Sequence, residues 1–297
     1  MRLDIRLLGT FQATLDGEVL TGFRSDKARA LLAYLAVEAG QAHRREKLAG
    51  LLWPGFTETS ARTNLRRALA DLRQAIGDHQ AMPTYLLVAQ DTLQFNVASN
   101  ASVDVSAFTR LISPASLVAP TNLASPQPTL SPLEQAVALY RAPFLEGFSI
   151  ADSPAFEEWV LLTREQLNRL MLEALRRLAD AYQAQGQYEL ALPHAWRQVD
   201  MDPWQESAHR QVMQILALSG QRAAALAQYE NCRRLLVAEL GVEPSEQTRQ
   251  LAERIRSEEW PPAAIAAVEP PAPQPRALGS CPYRGLAPFR QQDAPNF

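Results

Sequence analysis

Apolar residues recur along this 297-residue chain with two different periods, and the places where the period changes mark its elements. Between residues 3 and 20 the period is two. RLDIRLLG alternates, FQATL follows, and Asp16-Gly17 stands before EVL, a pair that tolerates the positive φ of a hairpin turn. The spacing then becomes helical. Ser25 is placed to cap a helix through DKARALLAYLAVEAG that Gly40 closes, with Ala28, Leu31, Leu32, Leu35 and Ala36 on one buried face. RREKLAGLLW predicts a second, shorter helix, ended by Pro54, which lacks the amide hydrogen the next turn requires. Thr57 or Thr59 opens a third through ETSARTNLRRALADLRQAI, and Gly77 ends it. TYLLVAQ and DTLQFNV then alternate around Gln90-Asp91 as a second hairpin.

From Val103 onward the spacing is helical, through PLEQAVALY, the long FEEWVLLTREQLNRLMLEALRRLADAYQAQG and shorter segments to about Arg256. Residues 113–132 interrupt it with five prolines among Ser, Ala and Thr, a composition that predicts a mobile surface loop. A shift of 34 residues superposes Ala174 on Ala208, Arg176 on Arg210, Gly186 on Gly220, Gln187 on Gln221, Ala191 on Ala225 and Leu192 on Leu226. Small residues at helix crossings and Gly at the turn between paired helices suit stacked helical hairpins of the tetratricopeptide kind. Two unrelated helical hairpins reuse Gly and Ala as well, so coincidence is the competing reading.

These elements predict an α+β winged helix (an N-terminal sheet, three helices and a C-terminal hairpin) followed by an all-α tetratricopeptide-like repeat domain. The expected boundaries are 1–98 for the winged helix-turn-helix and 101–257 for the helical domain with its 113–132 loop. A Pro/Ala-rich linker at 258–280 and a terminal segment at 281–297 that regains aromatic residues complete the layout.

Net charge is only −3, but it is unevenly spread. Residues 24–73 hold ten Lys or Arg against five Asp or Glu, whereas residues 101–297 hold seventeen against twenty-two. A basic segment in an acidic chain attracts phosphates locally, although a solvated charged face has the same composition. The third helix sharpens the choice. At 100° per residue, Ala61, Leu65, Leu69, Leu72 and Ile76 form one apolar stripe. Thr59, Thr63, Arg66, Arg67 and Gln74 lie opposite, with Arg62 and Arg73 toward a flank. Arg donates paired hydrogen bonds to guanine in the major groove, and Thr contacts base edges, methyls or phosphates. An ordinary amphipathic surface helix also has a charged outer face, so neighbouring elements carry the decision. Arg44, Arg45 and Lys47 at the start of the second helix suit backbone phosphates, and the wing turn offers Gln90 and Thr92 to the neighbouring groove. The DNA-facing residues expected are therefore Thr59, Arg62, Thr63, Arg66, Arg67 and Arg73 on the recognition helix, with Arg44, Arg45, Lys47, Gln90 and Thr92 around it.

SDKARALLAYLAVEAGQAHRREKLAGLLWP with SARTNLRRALADLRQAI resembles the output domain of the SARP-type bacterial activators, related to OmpR-type winged helices. LYRAPFLEGFSIADSPAFEEWVLLTREQL and QVDMDPWQESAHRQVMQILALSGQRAAALAQYENCRRLLVAELGVEPS resemble their bacterial transcriptional activator domain. The resemblance covers about residues 1–257 in the family's order. It implies sequence-specific binding to double-stranded promoter DNA, often at direct repeats, activation through contact with RNA polymerase, and a helical domain packed on the reader. A homodimer on DNA is a further expectation. The 113–132 stretch looks like an insertion. The terminal PYRGLAPFRQQDAPNF resembles the lead-in to the nucleotide-binding domain of STAND-class ATPases, which implies the front part of a longer nucleotide-gated regulator. No GxxxxGK[ST] occurs in this chain, so no cofactor is expected here, and a nucleotide enters only through a downstream domain.

Catalytic alternatives find little support. His43, His79, His194 and His209 lack metal spacing, no GxSxG or GxGxxG occurs, and Glu157-Glu158 and Glu258-Glu259 are adjacent pairs that point about 100° apart on a helix. His194 and His209 are expected to be surface or packing residues. Trp159, Tyr182, Trp196, Trp204 and Tyr229 are expected in the core. Two distant cysteines, no signal peptide and no 18-residue apolar run predict a cytoplasmic protein without a membrane partner. The remaining alternative is a helical-repeat interaction scaffold in which the winged helix docks to protein rather than DNA.

Overall fold

The computed structural model describes residues 1–113 and 130–257. The proposed linker at 258–280, the 281–297 segment and most of the Pro-rich stretch lie outside the described residues. Strands β1 (Leu3–Arg6), β2 (Gln12–Leu15) and β3 (Glu18–Val19) form the first meander, and Asp16 and Gly17 both take positive φ at its turn, as their side chains allow. Helices α1 (Asp26–Val37), α2 (Arg45–Leu52) and α3 (Glu58–Ala75) follow, with the two-residue strand β4 (His43–Arg44) before α2. The second hairpin is β5 (Leu86–Val88) and β6 (Thr92–Phe95), and it forms a sheet in the order β4-β6-β5. Ser25 caps α1 by accepting from the Ala28 N–H, and Thr57 caps α3 by accepting from the Ser60 N–H.

Strand β7 (Ala101–Val103) returns to the first sheet and pairs parallel to β1, with Leu3 opposite Ala101 and Ile5 opposite Val103. A residue range placed with the helical domain by sequence thus completes the N-terminal sheet. Helix α4 (Asp104–Ile112) leaves directly from it. Asp104, nearly buried, accepts from the N–H groups of Leu7 and Leu8 at 2.8–3.0 Å, from its neighbour Val105 at 2.9 Å and from the Arg141 guanidinium at 3.1 Å. Burial pushes its carboxyl above the usual aspartate range, against the pull of these N–H groups and Arg141 in the other direction.

The two parts share one continuous core. The Leu145 and Glu146 N–H groups donate to the carbonyls of Leu7 and Gly9, both at 2.9 Å. Trp159 stacks at a tilt on Tyr34, 4.9 Å between centroids, and donates its indole N–H to Glu38. The Ser153 hydroxyl donates to the Leu51 carbonyl at the end of α2. This seam corrects one expectation: α1 buries Ala30, Ala33 and Tyr34 as well as the predicted face, because reader and helical domain cover it from two sides.

The helical part continues with α5 (Ser131–Leu139), α6 (Pro154–Ala184), α7 (Tyr188–Met201), α8 (Glu206–Leu218), α9 (Arg222–Leu240) and α10 (Glu246–Arg256). The 34-residue period is visible in backbone hydrogen bonds. After α6, Gly186 N–H donates to Gln183 and Gln187 N–H to Tyr182; after α8, Gly220 N–H donates to Ala217 and Gln221 N–H to Leu216. Both glycines are left-handed, at φ 70° and 82°, and each closes its helix with the same paired bonds. Ala174, Ala191, Ala208 and Ala225 are buried at the crossings. A Cβ at Gly220 would meet open space, so Gly220→Ala is expected to cost only the left-handed strain, about 1–2 kcal/mol. That should lower the melting temperature by about 2–4 °C for each kcal/mol. A melt identical to wild type would argue against the left-handed turn.

His209 is buried with both ring nitrogens partnered, by the Pro203 carbonyl and the Gln228 amide. His194 stacks flat on Tyr182, and burial lowers its pKa. Tyr182 and Tyr229 are core, and Trp159 is packed against it. Trp196 and Trp204 are not: they are 36% and 51% exposed, contrary to the sequence expectation. Trp204 stands in the α7–α8 connection, where no helix packs over it, and helical spacing says nothing about such a position. No described helix is long and apolar enough to cross a membrane.

Candidate nucleic-acid interface

Helix α3 packs its predicted stripe inward: Ala61, Leu65, Leu69, Leu72 and Ile76 are all buried against a core that includes α1 and α2. Its outer side is not covered by the described residues of the helical domain. Thr59, Arg66, Arg67 and Gln74 are exposed, and Thr63 is half-buried with its hydroxyl donating to the Thr59 carbonyl at 2.9 Å. The wing turn stands beside α3. Gln90 is exposed at its tip and Thr92 half-buried at its base. Arg44 lies in β4, immediately before α2 and not within it, because its backbone is extended. Arg44 and Lys47 are exposed. Arg44, Arg45, Arg62, Arg66, Gln90 and Thr92, together with the acids Glu46 and Asp91, line one cleft of about 640 Å³ between α2, α3 and the wing.

The predicted cations divide into two groups by what they touch. Arg44, Lys47, Arg66 and Arg67 make no ion pair or side-chain hydrogen bond among the described residues and are free to meet an anion. The others are engaged within the fold. Arg62 pairs with Glu46 of α2 and with Glu58 one turn earlier, tying α3 to α2. Arg45 donates its guanidinium to the Ala89 carbonyl and its backbone N–H to Asp91, both at 2.9 Å, and so fixes the wing turn against α2. Arg73 pairs at 2.8 Å with Asp78, which is wholly buried and accepts from the N–H groups of Tyr85 and Leu86 at the start of the wing. Helical spacing puts Arg62 and Arg73 on a flank and Glu58 one turn from Arg62, but it does not show that the fold brings Glu46 of α2 to the same guanidinium. Sequence reading also passed over Asn64, Arg24 and Lys27, which line a second cavity along α3.

Arg73→Ala therefore should destabilise, because it leaves the buried Asp78 carboxylate without its cation, at a cost of about 2–4 kcal/mol. Base preference of the folded variant is expected to be unchanged. Altered preference with an unaltered melting curve would instead place Arg73 on the reading face.

Known proteins are similar to this chain in sequence and fold. The profile of the bacterial transcriptional activator domain matches residues 103–256, from the end of β7 to the end of α10. The transcriptional regulatory protein MoaR1 of Mycobacterium tuberculosis is 24% identical over 254 residues, which are 85% of this chain and 79% of that protein. The regulatory protein AfsR of Streptomyces coelicolor is 27% identical over 250 residues, 84% of this chain but 24% of AfsR. The structure of Mycobacterium tuberculosis EmbR in complex with a low-affinity phosphopeptide superposes with a TM-score of 0.66 at 23% identity. It covers 86% of this chain and 65% of that one, and shows the same fold. The chain belongs to the bacterial transcriptional activator domain family and is a transcription regulator of the SARP type.

Proposed function

We propose that this regulator binds double-stranded promoter DNA by laying α3 in the major groove. Arg66 and Arg67 would read guanine edges there, and Thr59 and Thr63 methyls, base edges or phosphates. Arg44 and Lys47 hold the phosphate backbone, and Gln90 and Thr92 of the wing reach the neighbouring groove. Arg45, Arg62 and Arg73 act one step back, by keeping the wing, α2 and α3 in register. One observation carries the reading: Arg66 and Arg67 on the exposed side of α3, and Arg44 beside it, have no acid partner among the described residues, which leave that side uncovered. In this reading two copies occupy direct repeats, RNA polymerase is recruited, and the helical repeats serve regulation or partner contact.

Selection of bound duplexes from a random library, followed by titration of the best binder at rising salt, tests it. A recovered sequence motif and an affinity that falls linearly on a log–log salt plot are expected, because each neutralised phosphate releases counterions. No motif together with salt-indifferent binding would favour the scaffold reading instead.

A further inference from the structure

A helix lying in the major groove has a sugar-phosphate wall on each side, since the groove, about 12 Å wide, only just admits a helix of about 10–12 Å. The wing cleft, with Arg44 and Arg66, accounts for one wall. On the opposite flank of α3 lies a second cavity, of about 550 Å³, lined by Arg24, Lys27, Trp53, Asn64, Arg67 and Asp71, where the Asp71 carboxylate pairs with Arg24 at 3.6 Å and leaves Lys27 and Arg67 as its other cations. Positions 62, 65 and 66 line the first cavity and 64, 67 and 74 the second, which at 100° per residue are nearly opposite sides of one helix. Both flank the exposed strip that Arg66 and Arg67 share.

We propose that Lys27 and Asn64, beside Arg67, form a second phosphodiester-binding cleft, and that Asp152 of the helical domain controls its charge by neutralising Lys27. The inference rests on α3 being the duplex-facing helix. Lys27 Nζ sits 2.6 Å from the Asp152 carboxylate and over the rings of Trp53 and Phe56, at 5.3 and 6.0 Å from their centroids. The lysine side chain is only 16% exposed, whereas that of Asp152 is 61% exposed. The ammonium is thus held on an aromatic seat while its counterion comes from the other domain. The loop carrying Asp152 is docked on the reader, because the next residue, Ser153, donates its hydroxyl to the Leu51 carbonyl. While that loop is docked, the Lys27–Asp152 pair adds no net charge to the cleft. Withdrawing Asp152 returns one cation to the side of α3 where the second phosphate wall passes. A contact between helical domain and reader becomes a means of setting DNA affinity without moving α3.

Salt titration of the full chain against a labelled mixed-sequence duplex, followed by fluorescence anisotropy, tests the proposal. Asp152→Asn is expected to bind about threefold or more tightly and to steepen the log–log salt slope by about 0.9, the signature of one additional phosphate contact. Asp152→Glu, which restores the charge, should return the wild-type slope. In a Lys27→Gln background, Asp152→Asn should leave the slope where it was, because no cation is released. An unchanged slope in Asp152→Asn, or the same steepening without Lys27, would overturn the proposal while leaving the α3 reading intact. Salt-indifferent binding by the wild-type chain would overturn both.

Discussion

Replacing Arg66 and Arg67 together by Ala is expected to weaken binding to the selected duplex by roughly thirtyfold or more, with the melting curve unmoved. Each well-aligned Arg–guanine pair is worth about 1–3 kcal/mol, so losing two removes about 2–6 kcal/mol of discrimination. The fold does not depend on them. Both side chains are exposed and neither has a partner among the described residues, unlike Arg62 and Arg73 on the same helix. Anisotropy titration at fixed salt with parallel thermal melts separates the two quantities. Undiminished affinity in the double variant would remove these residues from the interface.

The other large effect concerns the seam. Asp104→Ala strands the N–H groups of Leu7 and Leu8 at the junction of sheet and helical domain, and leaves Arg141 with the Leu8 carbonyl alone. Each buried donor left without an acceptor costs about 1–3 kcal/mol, so with two of them the variant should lose about 2–6 kcal/mol. At about 2–4 °C per kcal/mol, its melting temperature falls by roughly 10 °C. Because the two parts share one core, the loss should appear in a single transition and not in the reader alone. Asp104→Asn keeps one acceptor oxygen and should lose less. Calorimetry that finds two separate transitions in the wild type, with only one shifted by the substitution, would contradict the shared core.

Much of this was legible in the chain itself, wherever the determining interaction is local. Caps at Ser25 and Thr57, the Asp16-Gly17 turn, the α3 stripe and the Gly186/Gly220 repeat all depend on residues within a turn or two of one another. What was illegible depends on distant partners. β7 pairs with β1 across nearly a hundred residues, and three short positions carry too little alternation to announce it. The second buried side of α1 exists only because Trp159 arrives from α6 to cover Tyr34. The candidate interface divides along the same line. That Arg62, Arg66, Arg67 and Arg73 lie away from the apolar stripe follows from helical geometry. Of the acids that engage two of them, only Glu46 comes from another helix; Glu58 and Asp78 lie within two turns of their arginines and were legible as local pairs. Exposed Trp196 and Trp204 mark the limit of reading aromatics as core.

The central claim is that α3 enters the major groove with its cationic side. Methylation interference on the selected duplex tests it most directly, because a methyl on guanine N7 blocks the acceptor that an Arg pair would use. Duplexes methylated at N7 of the motif guanines are predicted to be excluded from the bound fraction of the wild-type chain. That exclusion should fade in the Arg66→Ala and Arg67→Ala variants. A wild-type bound fraction indifferent to N7 methylation, but sensitive to methylation at adenine N3 in the minor groove, would contradict the account.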